Sequence, residues 1–152
     1  MFKLGWFTFC ESAVVDNLTN NISLFNAVEQ IQAAEFPIAM PNAVFAIYAY
    51  REDQEDFSRA RLEYRVSVVR PDGEVRVLFD QVIESTNPRH RIRASARGLL
   101  LDVPGLRWFT LELKAKDGTW AEVARLPFVA RLVAAPEADK GVQPAAVGEL
   151  SS

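Results

Sequence analysis

Apolar and polar residues alternate between Arg61 and Ile83, in the segment RLEYRVSVVRPDGEVRVLFDQVI. A period of two is typical of a half-buried β-strand, because successive side chains point to opposite faces. The Pro71-Asp72-Gly73 sequence in the middle has the composition of a tight turn. The pattern therefore predicts a β-hairpin whose second strand turns these residues towards the core: Val75, Val77, Phe79 and Ile83.

The same pattern predicts the register of this hairpin. A loop of two or four residues places Val68 opposite Val77 and Leu62 opposite Ile83, whereas a three-residue loop places Val68 opposite Arg76. We expect the first register, because it keeps apolar residues opposite one another on one face. An isolated hairpin is marginally stable in water, so this face must pack against further strands.

Other segments with strand composition lie on both sides of the hairpin. Residues 22–31 would also suit a short helix, but their neighbours favour a strand, and Phe36-Pro37 and Met40-Pro41 predict a loop. A second hairpin turns at Asp117-Gly118, with Leu111 expected opposite Val123. The remaining predicted strands are residues 2–10, residues 43–50, and residues 89–101 with a bend near Gly98.

About eight short strands without a long helix predict an all-β fold, an antiparallel two-sheet β-sandwich of immunoglobulin-like or C2-like type. We assign residues 1–133 to this domain. Residues 134–152 are rich in alanine, proline and glycine and have no strand pattern. They predict a flexible C-terminal tail, or a segment that orders on a partner.

Charge and cysteine content restrict the class of protein. The 152 residues carry a net charge of -3, which argues against a nucleic-acid-binding role based on bulk positive charge. Cys10 is the only cysteine, so neither an internal disulfide nor a thiolate-rich metal site is available, and a reducing compartment is favoured. No apolar run approaches the roughly 20 residues that span a bilayer. We therefore expect a cytoplasmic protein without a membrane partner.

The most suggestive candidate site is a row of arginines on one predicted strand. Because they occupy odd positions, their side chains should project from one face and could bind phosphate or an acidic surface. The alternative is a solvated outer face or a charged edge strand, with its charges paired to carboxylates such as Glu63, Glu84 and Glu112. The row consists of Arg89, Arg91, Arg93 and Arg97.

The tryptophans form a second candidate. Trp6, Trp108 and Trp120 could form a sugar-stacking platform, and Trp108 and Trp120 lie near one hairpin and could face outward together, but core packing or an interface is the favoured explanation. The acidic loop of residues 52–56 lacks a recognisable order of calcium ligands, so we expect a solvated loop and no metal site. His90 has no second histidine or paired cysteine, so no catalytic set and no cofactor are predicted.

The order of these signals resembles a family of small bacterial proteins known only as a domain of unknown function. The matching motifs are Phe9-Cys10-Glu11, the strand Ile22-Ser23-Leu24-Phe25-Asn26, Phe36-Pro37, Pro71-Asp72-Gly73, and the unit from Pro104-Gly105-Leu106 to Asp117-Gly118. The resemblance covers approximately residues 1–133. It implies a β-sandwich and assigns no catalytic residue.

Without a convergent set of acid, base and nucleophile, we expect a non-enzymatic domain. The first hypothesis is an accessory or structural subunit that binds a partner protein or a second copy of itself, because the aromatic strands offer more apolar surface than one core requires. The alternative is a module that binds a glycan or an anionic, phosphorylated ligand through Trp108, Trp120 and the arginine row.

Overall fold

A computed structural model describes residues 1–135 of the chain, and within that range all regular structure is β-strand. The predicted two-sheet sandwich is confirmed, with nine strands in place of about eight. The strands are β1 (Phe2–Val15), β2 (Ile22–Ala27), β3 (Gln30–Ala33), β4 (Ile38–Arg51), β5 (Ala60–Val69), β6 (Val75–Ser85), β7 (Arg89–Leu101), β8 (Gly105–Lys114) and β9 (Trp120–Leu132).

The strands form one sheet of four, in the order β2-β1-β4-β7, and one of five, in the order β3-β9-β8-β5-β6. All neighbouring pairs are antiparallel except β3 and β9, which run parallel. Thus β7 is an edge strand of the four-stranded sheet, and β6 is an edge strand of the five-stranded sheet. The two strands of the central hairpin, β5 and β6, pair as predicted.

The predicted strand at residues 22–31 is divided between the two sheets. Val28 N donates to Phe9 O of the four-stranded sheet, and Val129 N of the five-stranded sheet donates to Glu29 O, each at 3.0 Å. The two residues between β2 and β3 therefore carry the chain across one open side of the sandwich. The segment is extended on both sides of this crossing, so the strand prediction is confirmed and the helix alternative is wrong.

The core between the sheets is built around four phenylalanines. The Phe45 ring lies 4.9 Å from those of Phe9 and Phe109, and the Phe128 ring lies 5.5 Å from that of Phe109. All four side chains are buried, so two come from each sheet and join the layers. Aromatic pairs in such offset and edge-on arrangements add to the hydrophobic stabilisation of burial.

Both hairpins differ from the predicted register because each contains a β-bulge. Leu62 does pair with Ile83, but a shift after Val66 sets Val68 opposite Arg76, and Val75 and Val77 are exposed. In the second hairpin a shift after Leu111 sets it opposite Ala124, so the predicted pairing with Val123 is wrong. A bulge adds one residue to one strand, so each residue beyond it points to the opposite face of the sheet from the one expected by simple alternation.

The expected loop at Met40-Pro41 is also wrong, because both residues lie within β4. Gly98 of the neighbouring β7 has a φ of 68°, which is consistent with the predicted bend there.

Of the predicted tail, residues 136–152 lie outside the described part of the chain. No helix within residues 1–135 has the length and apolarity to cross a membrane.

Candidate binding face

Strand β7 presents the predicted arginines on the outer face of the four-stranded sheet. Ile92 and Ala94 pack into the core, so the odd-numbered residues from Arg89 to Arg97 point away from it, whereas beyond Gly98 the odd-numbered Leu99 and Leu101 are buried. The span from Arg89 to Arg97 covers eight residue steps, which is about 27 Å of extended chain. Because β7 is an edge strand, this row of cations follows a border of the sheet whose backbone has no neighbouring strand among the described residues.

The carboxylates that could have neutralised the row bind elsewhere. Glu63 contacts Lys114 and Arg61, and Glu84 contacts Arg59, all on or beside the five-stranded sheet. Glu112 also belongs to that sheet. Within residues 1–135 no Asp or Glu oxygen lies within 4.0 Å of an arginine nitrogen of the row. The predicted internal pairing is therefore wrong for this part of the chain, and the row keeps its positive charge.

Three of the four arginines are positioned by neutral groups. Arg89 Nε donates to Gln54 Oε1 at 2.9 Å, and Arg91 places its guanidinium carbon 5.0 Å from the centre of the Tyr48 ring. Arg93 Nη1 donates to the backbone oxygen of Ala13 at 3.0 Å, so its side chain crosses β4 to reach β1. Neutral contacts of this kind orient the side chains without cancelling their charge.

Aromatic side chains from β1 and β4 adjoin the row. The Tyr48 ring stacks on Tyr50 with centroids 5.8 Å apart and lies 6.0 Å from the Trp6 ring. Gly5 allows this packing, since a Cβ there would stand 2.3 Å from Tyr48 Cδ1. We call this surface the arginine–tyrosine face; it comprises Trp6, Tyr48, Tyr50, Arg89, Arg91, Arg93 and Arg97.

The sequence reasoning missed Tyr48 and Tyr50 as members of this surface. Their signal was the alternation within residues 43–50, where Phe45 and Ile47 are buried in the core and the even-numbered residues must face away. The pairing of Tyr48 with Arg91 and of Tyr50 with Arg89 then brings the two residue types together. That pairing required knowledge of the strand order.

Trp108 and Trp120 do not join the arginine row. They lie on the outer face of the five-stranded sheet, on the opposite side of the sandwich. Trp120 lies opposite Lys114, six positions along β8 from Trp108, so the two backbone positions are about 20 Å apart along the strand. The Arg125 guanidinium carbon lies 5.7 Å from the Trp108 ring centre, and that of Arg65 lies 4.2 Å from Trp120. A single site made of both tryptophans and the row is therefore incompatible with the fold.

The acidic loop is occupied by internal contacts. Glu52 pairs with Lys3 at 2.6 Å, and Asp56 pairs with the buried Arg51 at 3.2 Å. The Lys3 partner holds the pKa of Glu52 below its ordinary value, and the Ser58 hydroxyl and N–H do the same for Asp56. No group of three or more His, Cys, Asp and Glu side chains within residues 1–135 is arranged to hold a metal ion.

His90 and Cys10 face opposite sides of the same sheet. His90 shares the core-facing side of β7 with Ile92, and burial, together with the charge of Arg51, lowers the pKa of its imidazole. Cys10 packs with Ala13 and Val44 in a small apolar cluster, where burial raises the pKa of its thiol. The sheet separates the two groups, so the imidazole is not placed to activate the thiol as a nucleophile.

Comparison with known proteins places the chain in a family. The model for a family of unknown function, DUF6941, matches residues 5–130, which is most of the chain. The chain belongs to this DUF6941 family. The resemblance to a family of unknown function is confirmed in those terms. No curated protein matches the chain.

Among solved structures, the comparison found the soluble domain of PmoD from Methylocystis sp. ATCC 49242 (Rockwell). It is 10% identical, and the match covers 86% of this chain and 97% of that one with a TM-score of 0.39. A similarity this distant provides no information on binding or activity for the DUF6941 chain.

Proposed function

We propose that this DUF6941 protein is a non-enzymatic, cytoplasmic binding domain that accepts an acidic segment of a partner protein as an additional strand beside β7. The observation that carries the proposal is the row of four arginines, unpaired with any carboxylate of residues 1–135, along an edge strand. Strand addition uses the free backbone groups of the edge for affinity and the alternate side chains for specificity.

The spacing of the row suits an extended peptide. Residues two apart on a strand are about 6.6–6.8 Å apart, and an added strand has the same repeat. Its alternate side chains would lie about 4.5–5.5 Å from those of β7, within reach of charge-assisted hydrogen bonds. Acidic residues at every second position of the partner would therefore lie opposite the odd-numbered positions from 89 to 97, four of which are arginines and one of which is Ser95.

The same row disfavours addition of a second copy of the chain. Antiparallel pairing of two β7 strands on one continuous face brings arginine opposite arginine, and like charges directly opposite destabilise a sheet. Charged edges prevent sheets from joining edge to edge. The arginine row therefore disfavours self-pairing and favours an acidic partner. Both interpretations of the row, as a charged edge strand and as a binding site for an acidic surface, then apply together.

A protein segment suits this face better than a nucleic acid. Single-stranded nucleic acids are held by basic grooves together with aromatic rings whose faces are open to bases. Here the Tyr48 ring is covered by Arg91, packs closely on Gly5 and stacks on Tyr50. The net charge of -3 would also repel a long polyanion.

Charge reversal in the row should abolish binding of an acidic strand. The probe is a fluorescein-labelled 13-residue peptide, the length of β7, in which glutamate alternates with threonine. We expect the double variant Arg91→Glu/Arg97→Glu to bind it about 30-fold more weakly or worse by fluorescence anisotropy. Each reversal removes an exposed pair worth up to about 1 kcal/mol and adds a repulsion of similar size.

The matched control is Arg131→Glu/Lys116→Glu, which changes the net charge equally at exposed positions on or beside the five-stranded sheet. It should retain the affinity of the native protein. A peptide of the same composition with its glutamates in one block should bind more weakly than the alternating one. Equal losses in both double variants, equal binding of both peptides, or tighter binding of a short oligothymidylate would each contradict strand addition.

A further inference from the structure

A second, independent feature lies where the β5–β6 hairpin meets the end of β7 and the start of β8. A cavity of about 130 Å³ opens there between the sheets. Its charged lining consists of Arg70, Arg76, Arg107 and a single carboxylate, Asp102, while the remaining lining is largely apolar, including Leu78 and Leu99. The lining therefore has a net charge of +2. It does not include any residue of the arginine–tyrosine face.

Two of the cavity's arginines carry buried donors without acceptors. Arg107 is only 2% exposed; its Nη2 donates to Val103 O at 2.6 Å, but its Nη1 has no partner. The Nε of Arg70 is likewise buried and unpaired. Buried polar groups are nearly always hydrogen-bonded, so a buried donor that faces a cavity without a protein acceptor is suited to a ligand that supplies one. Among the described residues only two other side-chain atoms, Arg51 Nε and His90 Nε2, share this condition.

The existing carboxylates neutralise only part of the positive charge. Arg70 pairs with Asp102, Glu74 and Asp72. Neither Arg76 nor Arg107 has an Asp or Glu oxygen within 4.0 Å among residues 1–135. Burial and the nearby charge of Arg70 lower the pKa of Arg107, and Asp102 opposes them. An anion bound beside Arg107 would favour its charged form and so oppose the effects of burial and of Arg70 on this pKa.

We propose that this cavity binds a phosphate-type dianion. Arg76 and Arg107, the two lining arginines that pair with no carboxylate of residues 1–135, match two negative charges, and guanidinium groups present planar pairs of donors that suit phosphate oxygens. At about 30 Å³ for each water-sized group, the cavity holds about four such groups, close to the five non-hydrogen atoms of a phosphate. The phosphate is either a free ion or one group of a larger ligand reaching out of the cavity.

Anion titrations followed by thermal unfolding at constant ionic strength test this proposal. Inorganic phosphate and sulfate should raise the Tm with a saturable concentration dependence, whereas acetate, a monoanion, should match chloride. A Tm that responds to phosphate no more than to chloride, or equally to acetate, overturns the proposal. Glycerol 3-phosphate separates the two sources, since binding tighter than that of free phosphate assigns the cavity to a larger ligand and weaker binding assigns it to the ion.

Three substitutions assign the binding to this cavity. Arg76 is exposed, so Arg76→Gln should leave the fold intact and weaken phosphate binding about tenfold or more. Arg107→Met should weaken it similarly, and Asp102→Asn should strengthen it, because the competing carboxylate is gone. If the cluster has only a structural role, Asp102→Asn should not increase the affinity for phosphate. Unchanged phosphate affinity in Arg76→Gln overturns the proposal even if Arg107→Met fails to fold.

Discussion

Replacing Phe45 by alanine is expected to lower the free energy of unfolding by about 3–5 kcal/mol. Phe45 is fully buried at the centre of the sandwich. The centre of its ring lies 4.9 Å from the ring centres of Phe9 and Phe109, and 6.0 Å from that of Phe79 on the edge strand β6. Truncation removes the buried ring and leaves a cavity between the two sheets, which a close-packed interior fills only in part.

Urea unfolding measures this effect, and Phe25→Ala is the matched control. Phe25 has the same side chain on the edge strand β2 and is 51% exposed. We expect its truncation to cost about 1 kcal/mol or less, because little of the ring leaves water on folding. A Phe45→Ala variant no less stable than Phe25→Ala would contradict the proposed position of the core.

Replacing Arg51 by methionine is expected to lower the free energy of unfolding by about 3 kcal/mol. Arg51 is 4% exposed and joins the loop of residues 52–59 to the sandwich. Its Nη1 donates to Asp56 O at 2.7 Å, and its Nη2 donates to Ser58 O and to Ser85 O, the latter at 3.1 Å. Methionine retains the length of the side chain but leaves these carbonyls without their donor.

The control for Arg51 is Arg125→Met. Arg125 forms an exposed pair with Glu122 at 2.8 Å, and the loss of such a pair costs about 1 kcal/mol or less. Limited proteolysis should also cut the 52–59 loop faster in the Arg51→Met variant than in the native protein. Equal stability of the two methionine variants, with an unchanged cleavage rate, would show that Arg51 does not anchor the loop.

The fold class follows from sequence because alternation is local. The period of two from Leu62 to Val68 and the turn at Asp72-Gly73 were enough to predict the central hairpin. The bulges after Val66 and Leu111 were not predictable from the same pattern. Both bulges lie within hairpins, and the alternation of apolar residues does not show where an extra residue enters a strand, so the apolar residues Val75 and Val77 were wrongly assigned to the core.

The candidate site was predicted in part. The alternation of odd- and even-numbered positions along a strand was enough to place Arg91 and Arg93 on one outward face. The strand order was needed to show that Glu63 lies on the other sheet and that Tyr48 lies beside Arg91. The same alternation also indicated that Arg107 faces the core, which was not recognised from the sequence. Arg107 precedes Phe109 and Leu111 at the same alternate positions, so its side chain had to point inward with them.

Amide hydrogen exchange with the alternating glutamate–threonine peptide tests the central claim most directly. An added strand would form hydrogen bonds with the backbone groups of β7 that point away from β4. We predict slower exchange at alternate residues of β7 when the peptide is present, with exchange in β2 and β6 unchanged. Protection confined to β2, to β6 or to the outer face around Trp108, or no protection at saturating peptide, would contradict the claim that β7 is the binding edge.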